Sequence, residues 1–347
     1  MYKKTNKTRI EWIDFAKGVT ILLVIVGHTV QQGKNGSVLR ALITSFHMPL
    51  FFILSVVTFR CSNSIEEFCA KTKKTFRHLI GPALFLLGLI LLNEVIRNPQ
   101  LISDLQWWKN KLYMFIFASG VETVFNGFHV DLLGISWFFY AIFLGRTMFD
   151  YIQLQFTEGQ LAVVSIGTGV LGICISSYQW LPFSLDIALA VMPFFYFGFL
   201  AKKIDMEKDA VKKLFLWMVI WLFTLAITFT DYDNWTYLEL AARRYNFFPI
   251  CYLTAIAGTM FVGEFGVLCC RYLKHIKKPF LYLGKNSLYL LCVHVMDYLT
   301  FPIWNLENHQ FWCAARRILA NLIVFMLLMI VMRIWKELKK YLLVNNR

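Results

Sequence analysis

Ten apolar runs, each close to the length that crosses a lipid bilayer, leave this chain few folds to choose from. They occupy roughly residues 13–30, 42–59, 79–97, 131–149, 161–178, 184–201, 214–230, 247–268, 281–299 and 318–335. At 1.5 Å of rise per residue, a helix over each run covers most or all of a hydrocarbon core about 30 Å thick. Composition agrees, since 58% of the residues are hydrophobic and 16% charged, where a soluble domain is about 45–50% apolar. The expected fold is an all-α polytopic membrane protein of about ten transmembrane helices, with residues 1–347 forming a single transmembrane domain. A shorter run, Leu112–Val121, is flanked by Trp107, Trp108, Lys109 and Lys111. It is expected to lie at the interface, within the long third loop.

A net charge of +14 would suit nucleic acid, but its distribution points to a membrane instead. Basic clusters at Lys3–Arg9, Lys71–Arg77, Lys202–Lys213, Arg271–Lys278 and Lys336–Lys340 fall on alternate sides of the apolar runs, and therefore on one face. Counted this way, 24 Lys and Arg face one side and 9 the other, with Lys17 and Lys285 near helix starts. The positive-inside asymmetry makes that side cytoplasmic. An even number of spans then places both termini there, residues 1–12 as a leading segment and 336–347 as a tail. The basic N-terminus followed by an apolar run mimics a secretory signal. No small-residue cleavage pattern follows Thr29, so an uncleaved first span is expected. The eight cysteines show no metal-ligand spacing, and Cys61, Cys69, Cys269 and Cys270 on the cytoplasmic side are expected as reduced thiols.

Three ionisable residues interrupt the first span. Lys17 and His28 are eleven positions apart, which on a helix places them within about 20° of one face and about 16 Å apart along the axis. Asp14 lies on the same side, one turn before Lys17. Charges inside a membrane helix are costly, so this stripe requires a polar, protein-lined cavity to face. An i,i+3 ion pair at a helix start, with His28 only marking the far interface, is the alternative reading. In the second span His47 and Pro49 open the helix at its outer end, and the short preceding loop puts His47 at a depth similar to His28. Span nine brings His294 to a comparable depth, about 13 Å beyond Lys285, with Ser287 and Tyr298 on the same face.

Other polar positions are read more plainly. Trp137, at the outer start of span four, suits an aromatic-belt anchor. Asp186 opens span six on the outer side, where a buried carboxylate would need a partner such as a histidine, and Pro193 predicts a kink. The outer loop from Asn98 to Val130, the longest, is expected to cover an outer cavity. His78 and His275 sit in basic segments and His129 and His309 in outer loops, all ordinary settings.

Taken together, these stretches resemble the acyltransferase-3 family of membrane acyltransferases, in particular its fucose 4-O-acetylase-like branch. The resemblance runs over essentially the whole chain. It comprises I-D-F-A-K-G with the Lys17-to-His28 spacing, F-H-M-P-L-F-F-I-L-S, Arg77 with Pro82, S-W-F-F, L-D-I-A-L with F-F-Y-F-G, and L-G-K-N-S-L-Y followed by His294. One departure is Val56, where the family's second helix usually reads Gly; a bulkier side chain there is expected to alter close helix packing or narrow a channel.

The resemblance implies transfer of an acyl group, usually acetyl, from cytoplasmic acyl-CoA to a hydroxyl of a lipid-linked or cell-surface glycan, in a bacterial cytoplasmic membrane. It implies His28 as general base, or as the site of a covalent acyl-histidine, with Asp14 orienting Lys17. Lys17, Arg77, Lys278 and Lys285 would hold the CoA phosphates, while His47, Trp137, Asp186 and His294 would line the acceptor side. Acetyl-CoA enters as co-substrate, and neither a resident cofactor nor a metal is implied. Expected partners are the acyl donor, a carbohydrate acceptor and the bilayer, not nucleic acid. Hydropathy alone also allows a transporter or flippase, although no inverted repeat relates the two halves. A non-catalytic module on the same scaffold is the third reading.

Overall fold

Helix covers each of the ten apolar runs, but unequally. The structure is a computed structural model that describes residues 10–30, 37–125, 128–228, 238–300 and 310–345; the side chains of 37, 125, 128, 298–300, 310 and 343–345 are outside the description. The Lys3–Arg9 cluster, His309 and the Tyr298 side chain therefore lie outside the described residues. In chain order the helices are α1 (Glu11–Gly27), α2 (Ser37–Thr44), α3 (His47–Val57), α4 (Ile65–Arg97), α5 (Leu105–Phe117), α6 (Trp137–Gln155) and α7 (Glu158–Tyr178). They continue as α8 (Leu185–Ala190), α9 (Met192–Ala201), α10 (Ala210–Ile227), α11 (Ile250–Tyr272), α12 (Lys277–Lys285), α13 (Ser287–Thr300) and α14 (Gln310–Asn345). Two short antiparallel hairpins, Thr123–Phe125 with Phe128–Val130 and Leu238–Glu239 with Arg244–Tyr245, lie between helices.

Among the described residues six helical stretches are long and apolar enough to cross a membrane, or seven if the bent pair α8–α9 counts as one. The other apolar runs form α1, α6 and α13, which are shorter or carry charged residues. Their deficit in apolarity is local, because these three helices carry the polar groups that turn inward. The bend between α8 and α9 is 51°. Pro193 stands in the first turn of α9, where its missing N–H breaks the ladder from α8. The interfacial run expected at 112–121 begins earlier, as α5, whose first turn is capped by Asp104 accepting from the N–H groups of Gln106 and Trp107.

Burial separates core from rim. Within the spanning windows, α11 is 67% buried and the α2–α3 stretch 61%, whereas α14 is 11%, α10 22%, and α4 and α7 28%. The poorly buried helices expose continuous Leu, Ile, Val and Phe surface, as helices at the lipid boundary do. Basic residues at one end tie neighbouring elements together. Lys202 Nζ donates to the Phe59 carbonyl (2.6 Å). Lys203 pairs with Glu158 (2.7 Å) and Lys277 with Glu11 (2.6 Å). These contacts gather the ends of α1, α3, α7, α9 and α12 at one basic end of the bundle.

Two glycine contacts set the position of α1. A Cβ added to Gly18 would sit 2.0 Å from the Phe280 carbonyl oxygen, and one added to Gly284 would sit 1.6 Å from that of Asp14. Helices α1 and α12 therefore touch backbone to backbone on either side of Lys17. A third close approach explains Val56. Gly198 of α9 lies against Ile53 O of α3, and its missing Cβ leaves room for the Val56 side chain. Val56 is fully buried at this helix contact. The glycine that closes the α3–α9 contact stands on the opposite helix.

Candidate active site

Two cavities lie in line along α1. The one towards the basic end encloses about 240 Å³, and α1 contributes Asp14, Lys17 and Ile21 to its wall. Helix α3 adds Phe51 and Ser55, with Thr58 at its C-cap, α6 adds Phe138, Ile142 and Arg146, and α4 adds His78; Gly284 and Lys285 come from α12. The second cavity continues on the next turns of the same helices. It is lined by Val24, Gly27 and His28 of α1, by His47, Met48 and Pro49 of α3, and by Trp137 of α6. Arg40 and Thr44 of α2 and Leu238–Ala241 of the second hairpin close it. Ile21 and Val24, one turn apart, mark the apolar level between a basic chamber and an imidazole-bearing one.

His28 caps the C-terminus of α1, where helix carbonyls lose their intrahelical partners. Two guanidinium groups satisfy them. Arg40 Nη1 donates to Gly27 O (3.0 Å) and Val30 O (3.2 Å), and Arg317 Nη1 donates to His28 O (3.2 Å). The backbone at His28 is thus pinned while its imidazole faces the cavity. His47 Nδ1 lies 3.1 Å from Ile43 O. In the neutral ring that contact makes Nδ1 the donor and leaves Nε2 as the acceptor nitrogen. The His294 ring, fully buried, has its centroid 5.5 Å from that of His28. His28 and His47 share one cavity wall, and His294 stands behind His28.

Several residues sit elsewhere than their sequence context suggests. Trp137 is no belt anchor. It is 4% exposed, lines the second cavity, and lies against Gly120, whose missing Cβ would fall 2.4 Å from Trp137 Cδ1. The 98–130 loop packs behind this tryptophan, and among the described residues the second hairpin, not that loop, covers the cavity. Asp186 lines neither cavity. Its carboxylate is wholly buried and takes Arg243 Nε at 2.9 Å, while the guanidinium stacks 3.9 Å over the Trp180 ring. A buried carboxylate needs a cation, and an arginine supplies it rather than a histidine. Asp186→Ala strands that guanidinium, and a loss of about 3–5 kcal/mol is expected. Thermal unfolding of the detergent-solubilised protein measures it, and the Asp186→Ala/Arg243→Ala double variant should lose less than the sum of the singles.

Of the four basic residues assigned to phosphate binding, Lys17 and Lys285 line the basic chamber, whereas Arg77 and Lys278 are solvent-exposed and off its wall. Arg77 and His78 are consecutive on α4, about 100° apart, and it is His78, together with Leu79, that lines the chamber. Arg146 is the residue that sequence reasoning missed. It belongs to the stripe Phe138, Ile142, Arg146 on α6, and its guanidinium carbon lies 4.2 Å from the Phe59 ring centroid. A lone arginine within an apolar run was the available signal.

Inward-turned charges on two stacked cavities within lipid-length helices define a multi-pass integral membrane protein with polar cavities inside the helix bundle. The chain belongs to the acyltransferase-3 family, whose acyltransferase-domain model matches residues 10–335. It is similar to the nodulation protein NolL of Mesorhizobium japonicum, 26% identical over 226 residues, or 62% of this chain and 52% of the relative. NolL of Sinorhizobium fredii is 27% identical over 239 residues, 65% of this chain and 58% of the relative. The chain thus spans just over half the length of these curated relatives. No solved structure matches it.

Proposed function

We propose that this protein is an O-acyltransferase of a bacterial cytoplasmic membrane, with ten spans and both termini cytoplasmic, that moves an acetyl group from acetyl-CoA to a glycan hydroxyl. The observation that carries the reading is the alignment of the basic and imidazole-bearing cavities along α1, with Lys17 in one and His28 in the other. Lys17, Lys285, Arg146 and His78 offer cationic and donor groups to the CoA phosphates at the cytoplasmic mouth. The pantetheine arm then carries the thioester past Ile21 and Val24. On the far side His47, Arg40 and Glu239 offer hydrogen bonds to a sugar, and Trp137 a face to stack on.

In this mechanism His28 takes the proton of the acceptor hydroxyl as its oxygen attacks the thioester carbonyl. The new C–O bond forms, the C–S bond breaks, and the thiolate leaves with the proton returned from His28, giving acetylated acceptor and free CoA. An imidazole suits both transfers because its ordinary pKa lies near neutral pH.

The test is acetyl-CoA-dependent labelling of envelope glycan by the protein reconstituted in vesicles, run beside a solute-flux assay. Labelling without flux supports the reading; flux without labelling replaces it with a transporter. Lys17→Ala and Arg146→Ala are each expected to raise the KM for acetyl-CoA about tenfold or more, the worth of a charge-assisted hydrogen bond. Arg77→Ala should leave it unchanged. Equal donor KM values in all three variants would remove the basic chamber from donor binding.

A further inference from the structure

The least satisfied buried group beside His28 is its neighbour. His294 is fully buried, yet among the described residues neither Nδ1 nor Nε2 has a hydrogen-bond partner. Leaving a buried donor and acceptor unpaired is costly, so such a ring calls for a reason. One turn further along α13, Asp297 Oδ2 stands 3.7 Å from His294 Nδ1. The same oxygen accepts from Arg317 Nε at 2.7 Å and from Asn321 Nδ2 at 2.9 Å, both on α14. Arg317, 2% exposed, reaches with its other arm to His28 O and to Thr29 Oγ1 (3.4 Å). A carboxylate and a buried imidazole on α13 and the cavity-facing imidazole of His28 at the end of α1 therefore follow one another, with Arg317 of α14 clamping both ends.

Resting on the acyl-transfer reading above, we infer that Asp297 is a positioning residue for proton removal: it holds the His294 ring against His28 so that the two imidazoles act as a pair. An ion pair that only braced α13 on α14 would account for Arg317 and Asn321. It would not account for an orphaned imidazole between that pair and His28. A carboxylate on Nδ1 fixes a neutral imidazole in the tautomer whose Nε2 has a free lone pair, the arrangement that makes a histidine an effective proton partner. The resting distance is longer than a hydrogen bond, as such contacts commonly are before substrate binds. During transfer the hydroxyl proton passes to His28, His294 and Asp297 stabilise the resulting positive charge, and the proton leaves with the thiolate. Neither His294 nor Asp297 changes its net protonation over the cycle.

The experiment compares turnover per folded molecule in reconstituted wild type, Asp297→Asn, Asp297→Glu, His294→Ala and the His294→Ala/Asp297→Asn double variant, with His28→Ala as control. Asp297→Asn keeps shape and an oxygen for Arg317, so insertion should persist while kcat falls on the order of 10²-fold. Both KM values should stay within about twofold, and Asp297→Glu should recover part of the loss. If Asp297 acts through His294, the double variant is no slower than His294→Ala alone. Ring ¹⁵N resonances of histidine-labelled resting protein should show His294 protonated at Nδ1 in wild type and a changed tautomer balance in Asp297→Asn. An additive double variant, or normal turnover in well-folded Asp297→Asn, overturns the inference while leaving His28-dependent transfer in place. Wild type that transfers no acetyl group overturns both.

Discussion

Replacing His28 with Ala is expected to lower acetyl transfer on the order of 10²–10⁴-fold, the range that a positioned general base contributes. The loss should fall on kcat. Lys17, Arg146 and Lys285 line a separate cavity towards the other end of α1, so binding of acetyl-CoA should persist. Folding should persist as well, because the backbone contacts at this position survive the change. The His28 N–H donates to Val24 O (3.1 Å), and its carbonyl accepts from Arg317. Alanine keeps both. The measurement is acetyl incorporation per mole of monodisperse, reconstituted protein, with donor binding followed separately. Turnover near that of wild type would remove His28 from the chemistry.

The largest effect on stability is expected at Gly284. Its Cα faces the Asp14 carbonyl so closely that a Cβ would fall 1.6 Å from the oxygen, and backbone cannot step aside as a flexible side chain does. Gly284→Leu should yield no monodisperse protein. Gly284→Ala should unfold at distinctly lower temperature, with a loss of about 3 kcal/mol, the upper end of ordinary overpacking. The control is the same change on α4, where a Cβ at Gly88 would meet nothing within 4 Å. There the helix gains backbone rigidity, and Gly88→Ala should be neutral or stabilising by up to about 1 kcal/mol. Thermal unfolding in one detergent compares the two. Equal melting temperatures would mean that α1 and α12 do not touch as described. The contact also bears on the site, since Asp14, Lys17 and Lys285 flank it.

Much of the site's layout was legible because a helix imposes its own geometry. Eleven residues at 100° each bring Lys17 and His28 to one face whatever surrounds them, and they open on the two stacked cavities. His47 at the start of α3 shares a cavity with His28, as the similar depths read from their two spans suggest. Arg146 was legible in principle, as a charge inside an apolar run, but nothing local says which way a helix is rotated. For the same reason Arg77 could not be told from His78, and Trp137 could not be told from an interfacial anchor.

Sequence alone determined the class of protein, because apolar runs of bilayer length have no other way to satisfy their backbone, and it determined the axial order of Asp14, Lys17 and His28 along α1. Tertiary structure decided which charges meet. Asp186 finds Arg243, 57 positions on, and Asp297 of α13 finds Arg317 of α14, while Gly18 and Gly284 touch from opposite ends of the chain. These pairings depend on helix rotation and contact distance, quantities set by the fit of whole surfaces and carried by no single segment of the chain.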